Sequence, residues 1–303
     1  MNCLEYKNSV ELLAPAKINL TLEVLFKRED GYHELRSVMQ NVTIFDRLLI
    51  KKNRDNLINI SCSVPLPEKN TVRLAAEAYV ACGGCGGADI YLQKEIPSEA
   101  GLGGASADAA AVLYGMEKLF GTFGGKTAAL FETAKKIGAD VPFCLLGGCA
   151  LAGGIGEKLS SLPVPELNLV VIKPNAGIST PMLFKSLNLS PAAVSEKEII
   201  LQKRTFGTSL RLAKLLASRH KGIITADLIQ NELMPPAVNI LPEIQAICND
   251  LLSCGASAAQ MTGSGSAVYG IFESFADALA AEQKLSRYSF CRACKTSGGI
   301  TEV

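Results

Sequence analysis

The sequence predicts a two-part α+β fold, and three observations predict it. The N-terminal part is dominated by apolar, β-rich segments, with a single helical pattern before the first glycine-rich loop. The C-terminal part ends strand, glycine turn, strand, helix, strand, the order of a small α+β sandwich. Between them Pro163 and Pro165 interrupt the chain at a place suited to a hinge, so domains of residues 1–160 and 161–303 are expected.

Each element has a local reason. Residues 10–14 and 18–26 are apolar and β-rich, and Ala14-Pro15-Ala16 predicts a break between them. Asp30-Gly31 marks a turn, and residues 37–45, 48–52 and 58–63 read as further short strands. Asn70 is placed to cap a helix over 71–82, with Val72, Ala75, Ala76 and Tyr79 on one face. Residues 83–87 are mostly glycine and end it, and 88–93 alternate as a strand. A glycine-rich segment from Pro97 to Ala110 passes directly into a helical pattern ending near Leu119. Residues 121–126 read as a loop and 127–137 as a helix, with glycine-punctuated strands through Leu159 and a buried strand over 167–172. Helices follow at about 181–186, 209–219 and 244–253, then strands at 258–261 and 268–272, a helix at 275–285 and a strand at 290–295. Residues 195–209 form the least patterned stretch, a surface loop.

Composition narrows the function classes. Hydrophobic residues make up 48% and charged residues 19% of the 303, which suits a folded chain. A formal net charge of +1 lacks the basic footprint of a nucleic-acid binder, yet leaves room for a small polyanion. No apolar run is long enough to cross a bilayer, and residues 1–11, with Glu5, Lys7 and Glu11, lack a signal core, so a cytoplasmic protein is expected. The ten cysteines include Cys82 with Cys85 and Cys291 with Cys294. These pairs are too far apart for a zinc ribbon, and reduced, mostly buried thiols are expected.

The chemistry concentrates in three segments. Glycines within Pro97–Ala110 let backbone N–H groups approach a phosphate unhindered, and the helix start adds favourable dipole charge. The spacing of Gly101, Gly103 and Gly104 is not that of a Rossmann fingerprint, and no Gly-Lys-Ser/Thr follows, so it is not a Walker loop. The other two segments are Ala14-Pro15-Ala16-Lys17-Ile18-Asn19-Leu20 and Met261-Thr262-Gly263-Ser264-Gly265-Ser266-Ala267-Val268.

In that order, the three segments resemble the motifs of the GHMP kinases over nearly the whole chain. Four features resemble one branch, whose acceptor is the cytidyl diphosphate of methylerythritol in non-mevalonate isoprene biosynthesis. They are residues 16–20, Asp30-Gly31-Tyr32-His33-Glu34-Leu35, Gly138-Ala139-Asp140-Val141-Pro142-Phe143, and Lys173-Pro174 with Ser179, Thr180 and Phe184 beyond. The resemblance implies a ribosomal-protein-S5-like N-terminal domain, a ferredoxin-like C-terminal domain and an active site between them. It implies ATP with Mg2+, whose ligands stay unassigned, and transfer of the γ-phosphoryl to the acceptor's tertiary 2-hydroxyl. Another GHMP acceptor, or a ligand-binding protein that has lost turnover, are the competing readings. Oligomeric state stays open between monomer and homodimer.

The same resemblance assigns roles. Asp140 accepts the hydroxyl proton and Lys17 is the cation beside it, rather than a helix cap and a strand-edge charge. Pro97, Gly101, Leu102, Gly103, Gly104, Ala105, Ser106 and Ala107 form the ATP loop. Ala105 and Ala107 depart from the usual glycine and serine, adding a methyl and removing a hydroxyl contact to phosphate or metal, and Thr262 replaces a serine. Tyr32 and Phe184 clamp the cytosine while His33 hydrogen-bonds its edge. Asn19, Thr180, Gly263, Ser264 and Gly265 are further substrate contacts. Asn231-Glu232-Leu233 receives no chemistry.

Overall fold

The computed structural model describes residues 8–83, 86–187, 207–218 and 224–303. Two long strands, β1 (Ser9–Lys27) and β2 (His33–Lys52), pair antiparallel across the Asp30-Gly31 turn. The turn is held by Asp30, whose carboxylate accepts the Tyr32 N–H, and by Gly31 at φ +86°. The break expected at Pro15 is absent. The register instead shifts between Pro15 and Ala16, from Phe45 to Val42, and such an irregularity accommodates a residue without an N–H to donate. For the same reason the two strands expected over 37–52 are one.

The length of β2 lets it serve two partners on one edge. Residues 47–52 pair with β4 (Ala88–Gln93), which carries β3 (Ile58–Cys62), and residues 35–40 pair with β5 (Cys149–Gly154), which carries β6 (Lys158–Leu162). On the other edge β1 takes β12 (Thr301–Glu302) and β8 (Gln230–Asn231), two short pairings that the sequence pattern does not predict. Helix α1 (Thr71–Ala81) starts at Asn70, whose side chain accepts the Arg73 N–H as the capping pattern requires. Helix α2 (Gly104–Phe120) lies on the sheet through a run of alanines and Gly115, where a Cβ would stand 2.6 Å from Ile50. Helix α3 (Thr127–Ile137) matches its predicted bounds, whereas α4 (Val141–Leu146) is an addition.

The second sheet has the order β11-β7-β10-β9, from Phe290–Lys295, Asn168–Lys173, Val268–Phe272 and Ala258–Met261. Its central strands β7 and β10 are buried on both faces, and alternation divides their side chains between two cores. Leu169, Val171, Tyr269 and Ile271 join the core of the large sheet, while Val170, Ile172, Val268 and Phe272 face the C-terminal helices. Those helices are α5 (Thr180–Lys185), α7 (Met234–Ile240), α8 (Glu243–Ser253) and α9 (Phe275–Lys284), whereas α6 (Thr208–Ala217) packs on the first core through Leu212 and Ala213. Most of the loop expected over 195–209 lies outside the described residues, and its end already belongs to α6.

The cysteine pattern resolves the same way. Cys294 packs into the first core and Cys291 into the second, so their spacing of three directs them to opposite faces of β11. Cys85 lies outside the described residues, and the eight described cysteines are free. Among the described residues no helix is long and apolar enough to cross a membrane.

Candidate active site

The site forms where β1 passes between the two sheets. Ala16, Ile18 and Leu20 enter the core, which turns Lys17 and Asn19 to the other face. The displaced ladder at Pro15 leaves the Ala16 carbonyl to the Asn41 side chain, which donates to it at 3.2 Å. Lys17 is 4% exposed. Its ammonium donates to Asn19 Oδ1 at 2.7 Å and stands 3.4 Å from Asp140 Oδ2. Asp140 precedes α4, but its side chain makes no capping bond and is turned to the lysine instead. A cleft of about 1170 Å³ opens over this pair.

The glycine loop forms one wall. Gly101, at φ +71°, passes so close to the C-terminal half that a Cβ would sit 2.2 Å from the Thr262 carbonyl oxygen. Gly103, at φ +69°, opens α2, and a Cβ there would meet Lys17 Cγ at 2.8 Å. The Leu102 carbonyl accepts the Lys17 N–H at 2.9 Å, so the loop and the lysine are fixed to one another. Pro97, Gly104, Ala105 and Ser106 line the cleft with them, and Ala105 tolerates its methyl because it sits in the first turn of α2 with a negative φ. Ala107 is the exception and corrects its assignment to the ATP loop. It is fully buried in the core, its N–H donates to the Gly103 carbonyl, and it does not line the cleft. No hydroxyl contact to phosphate is lost there, because the position faces inward.

The opposite wall is the turn Gly263-Ser264-Gly265. It is bonded to the loop through Ser266 N–H to the Glu99 carbonyl and Ala267 N–H to the Ala100 carbonyl. Asn231 holds the turn from behind, donating to the Met261 and Gly263 carbonyls at 2.9 and 2.8 Å. Thr262 keeps the hydroxyl function, since its Oγ1 accepts the Asn19 N–H at 2.9 Å. Thr180 Oγ1 and Ser264 Oγ are 2.6 Å apart at the rim.

The aromatic residues are arranged differently from the expected clamp. The Phe184 ring stacks on His33, with centroids 4.9 Å apart, while Tyr32 is 61% exposed at the turn. Phe184 lines the cleft and Tyr32 and His33 do not. Burial and then the Lys27 charge hold the His33 imidazole below its ordinary range, so it is neutral at physiological pH.

Beneath the glycine loop lies a cluster that sequence reading missed. Lys94 Nζ bridges Asp46 and Asp108, donating to Asp108 Oδ2 at 2.7 Å and to Asp46 Oδ2. Asp46 also accepts the N–H groups of Glu95 and Ile96 at 2.6 and 2.8 Å, whereas Asp108 Oδ1 is buried without a partner. Asp46 is therefore the better hydrogen-bonded of the two carboxylates. Burial and the Asp46 charge push the Asp108 carboxyl up to about 8, and Lys94 stays charged between them.

The sequence profile of the GHMP kinases N terminal domain matches residues 69–148, and that of the GHMP kinases C terminal matches residues 210–289. The chain is 40% identical over 279 residues to a 4-diphosphocytidyl-2-C-methyl-D-erythritol kinase from Caldicellulosiruptor saccharolyticus, covering 90% of this chain and 92% of that relative. It superposes with a TM-score of 0.75 on a solved 4-(cytidine 5'-diphospho)-2C-methyl-D-erythritol kinase, at 33% identity over 95% of this chain and all of the other. A homoserine kinase from Cytophaga hutchinsonii shares the fold at a TM-score of 0.74, with 19% identity over the full length of both.

Proposed function

The chain belongs to the 4-diphosphocytidyl-2-C-methyl-D-erythritol kinase family of GHMP kinases, and from that premise we propose how its own residues carry out the reaction. It is an ATP-dependent phosphotransferase acting on the 2-hydroxyl of 4-diphosphocytidyl-2-C-methyl-D-erythritol. The observation that carries the mechanism is the Lys17–Asp140 pair at 3.4 Å, opening onto a cleft walled by the glycine loop.

A tertiary alcohol is a crowded nucleophile, so it must be oriented and its proton taken as the new bond forms. Asp140 is the proton acceptor, and Lys17, directed by Asn19, offsets negative charge near the transferring group. The first two N–H groups of α2, on Gly104 and Ala105, have no intrahelical acceptor, and both residues line the cleft with Gly103, a setting for the triphosphate. Among the described residues no three of His, Cys, Asp and Glu gather to hold a metal. That suits a Mg2+ ion carried by ATP, which takes most of its ligands from phosphate and water. The Ser106 hydroxyl at the start of α2 is the residue of this chain that would hold it, and its charge would offset that of the phosphates.

Phe184 offers the cytosine a ring face, with His33 stacked behind it, and Thr180, Ser264 and the flanking glycines contact the remainder of the acceptor. The change of sheet after β6 supports a boundary near residue 160, although β8 and β12 return to the first sheet. The eight free cysteines suit a reducing cytoplasm. The test is ADP release with a panel of alcohols. The cytidyl acceptor should be turned over and homoserine and mevalonate should not, and the reverse ranking would overturn the assignment.

A further inference from the structure

Lys17 owes its aim to an amide, and an amide has two ends. Asn19 can present either its carbonyl oxygen or its NH2 group to the ammonium, and only the first attracts a cation. What selects the end lies one residue further away. Asn19 Nδ2 is 2.7 Å from Ser37 Oγ, and Ser37 Oγ is 2.5 Å from the Thr21 carbonyl oxygen. A backbone carbonyl only accepts, so the single hydroxyl proton of Ser37 goes to Thr21. The Ser37 oxygen is then left as an acceptor, and it must face the Asn19 NH2. The Asn19 oxygen consequently faces Lys17, at 2.7 Å.

The strand geometry shapes this corner. The β1–β2 register shifts between Asn19 and Thr21, and the Val38 N–H donates to Thr21 Oγ1 at 2.8 Å. The Asn19 main chain is pinned from the C-terminal half, its N–H donating to Thr262 Oγ1. Lys17, Asn19, Thr21 and Ser37 are all buried, so no bulk water competes for these bonds.

We infer that Ser37 is a positioning residue for phosphoryl transfer: by giving its only proton to Thr21 it fixes the Asn19 amide and thereby holds Lys17 against Asp140. It does not line the cleft. The inference rests on the kinase reading for its consequence on rate, but not for the geometry.

The experiment uses the full chain and four variants, Ser37→Ala, Ser37→Thr, Lys17→Ala and the double variant Ser37→Ala with Lys17→Ala. The bond that Ser37 orients, from the Lys17 ammonium to Asn19, is one to a charged group, so Ser37→Ala should lower kcat roughly tenfold or more, with KM for ATP and acceptor within about twofold of wild type. Ser37→Thr restores the hydroxyl and should recover most of the rate. In the Lys17→Ala background, removing the serine hydroxyl should cost almost nothing further, because the lysine it serves is gone. A general packing defect would lower the rate by the same factor in both backgrounds, and that result overturns the proposal, as does a wild-type kcat in Ser37→Ala. A crystal structure of Ser37→Ala should show the Asn19 amide turned or Lys17 Nζ withdrawn from Asp140. Unchanged geometry there overturns the inference whatever the acceptor proves to be. A wild-type chain that ignores the cytidyl acceptor would sink the kinase assignment alone.

Discussion

Replacing Asp140 by Asn separates chemistry from folding at this site. The carboxylate lies 3.4 Å from Lys17 Nζ, and its side chain is 32% exposed against 5% for the lysine. Solvent reaches one member of the pair, so its net worth to stability belongs with partly screened ion pairs, at about 1 kcal/mol or less. Asn keeps an acceptor oxygen for the ammonium, and Asn19 remains a second one. The melting temperature should therefore fall by no more than about 2–4 °C. The rate should behave otherwise. A positioned base contributes roughly 100- to 10,000-fold, a barrier of about 2.7–5.4 kcal/mol, and an amide cannot take a proton at neutral pH. Asp140→Asn should bind ATP and the cytidyl acceptor as wild type does, by calorimetry, and release ADP at least about 100-fold more slowly. Retention of most of kcat would refute the base assignment. A large fall in melting temperature with a matching loss of both ligands would instead make the pair structural.

Three further outcomes test the surroundings. Gly101→Ala should weaken ATP binding and lower the melting temperature more than Gly31→Ala, because both glycines have positive φ but only Gly101 would drive a Cβ into a backbone oxygen; equal effects in the two variants would refute the close-approach reading. Phe184→Ala should raise KM for the cytidyl acceptor by roughly 1–3 kcal/mol of lost stacking and leave KM for ATP unchanged, and an equal rise in both constants would assign the ring to the core. Asp108, pushed up to about 8, keeps a proton in the folded chain that the unfolded chain loses near pH 4, so it makes stability fall as pH rises from about 4 to about 8. Asp108→Asn stays neutral throughout and should flatten that decline in denaturant midpoints, whereas an unchanged slope would mean that Asp108 is ionised.

The parts of the site legible in the sequence are those written in consecutive residues. The glycine loop, the Gly263-Ser264-Gly265 turn and the Asn70 cap are local patterns, and their geometry follows from φ preferences and helix ends. Lys17 and Asp140 were legible only through resemblance, since nothing in spacing tells that α4 returns to β1. Ser37, Asp46, Lys94 and Asn231 escaped because each acts across a strand pairing or between halves, and register is set by tertiary packing. Ala107 had a usable signal. It shares the apolar helical period of Ala110 and Ala111, which places it on the buried side of α2 rather than on the loop. Pro15 misled because a proline reads as a strand end, while a shift in register lets the strand continue through it.

Strand β1 belongs to both halves of the molecule. Val10, Leu12, Ala14, Ala16, Ile18 and Leu20 pack in the first core, and Leu22 and Val24 pack in the second, with Lys17 and Asn19 just before the crossing. A clamshell needs a joint that bends, and this molecule runs a paired strand through the place where the joint would be. Opening the halves like jaws would break β-ladder bonds and tear Thr262 from Asn19, so acceptor and nucleotide must enter past the rim. At that rim α5 carries Thr180, which meets Ser264, and Phe184, which stacks on His33, while Leu183 between them is buried in the second core. The contacts that aim Lys17 are thus carried by the same paired strand that ties the two halves together.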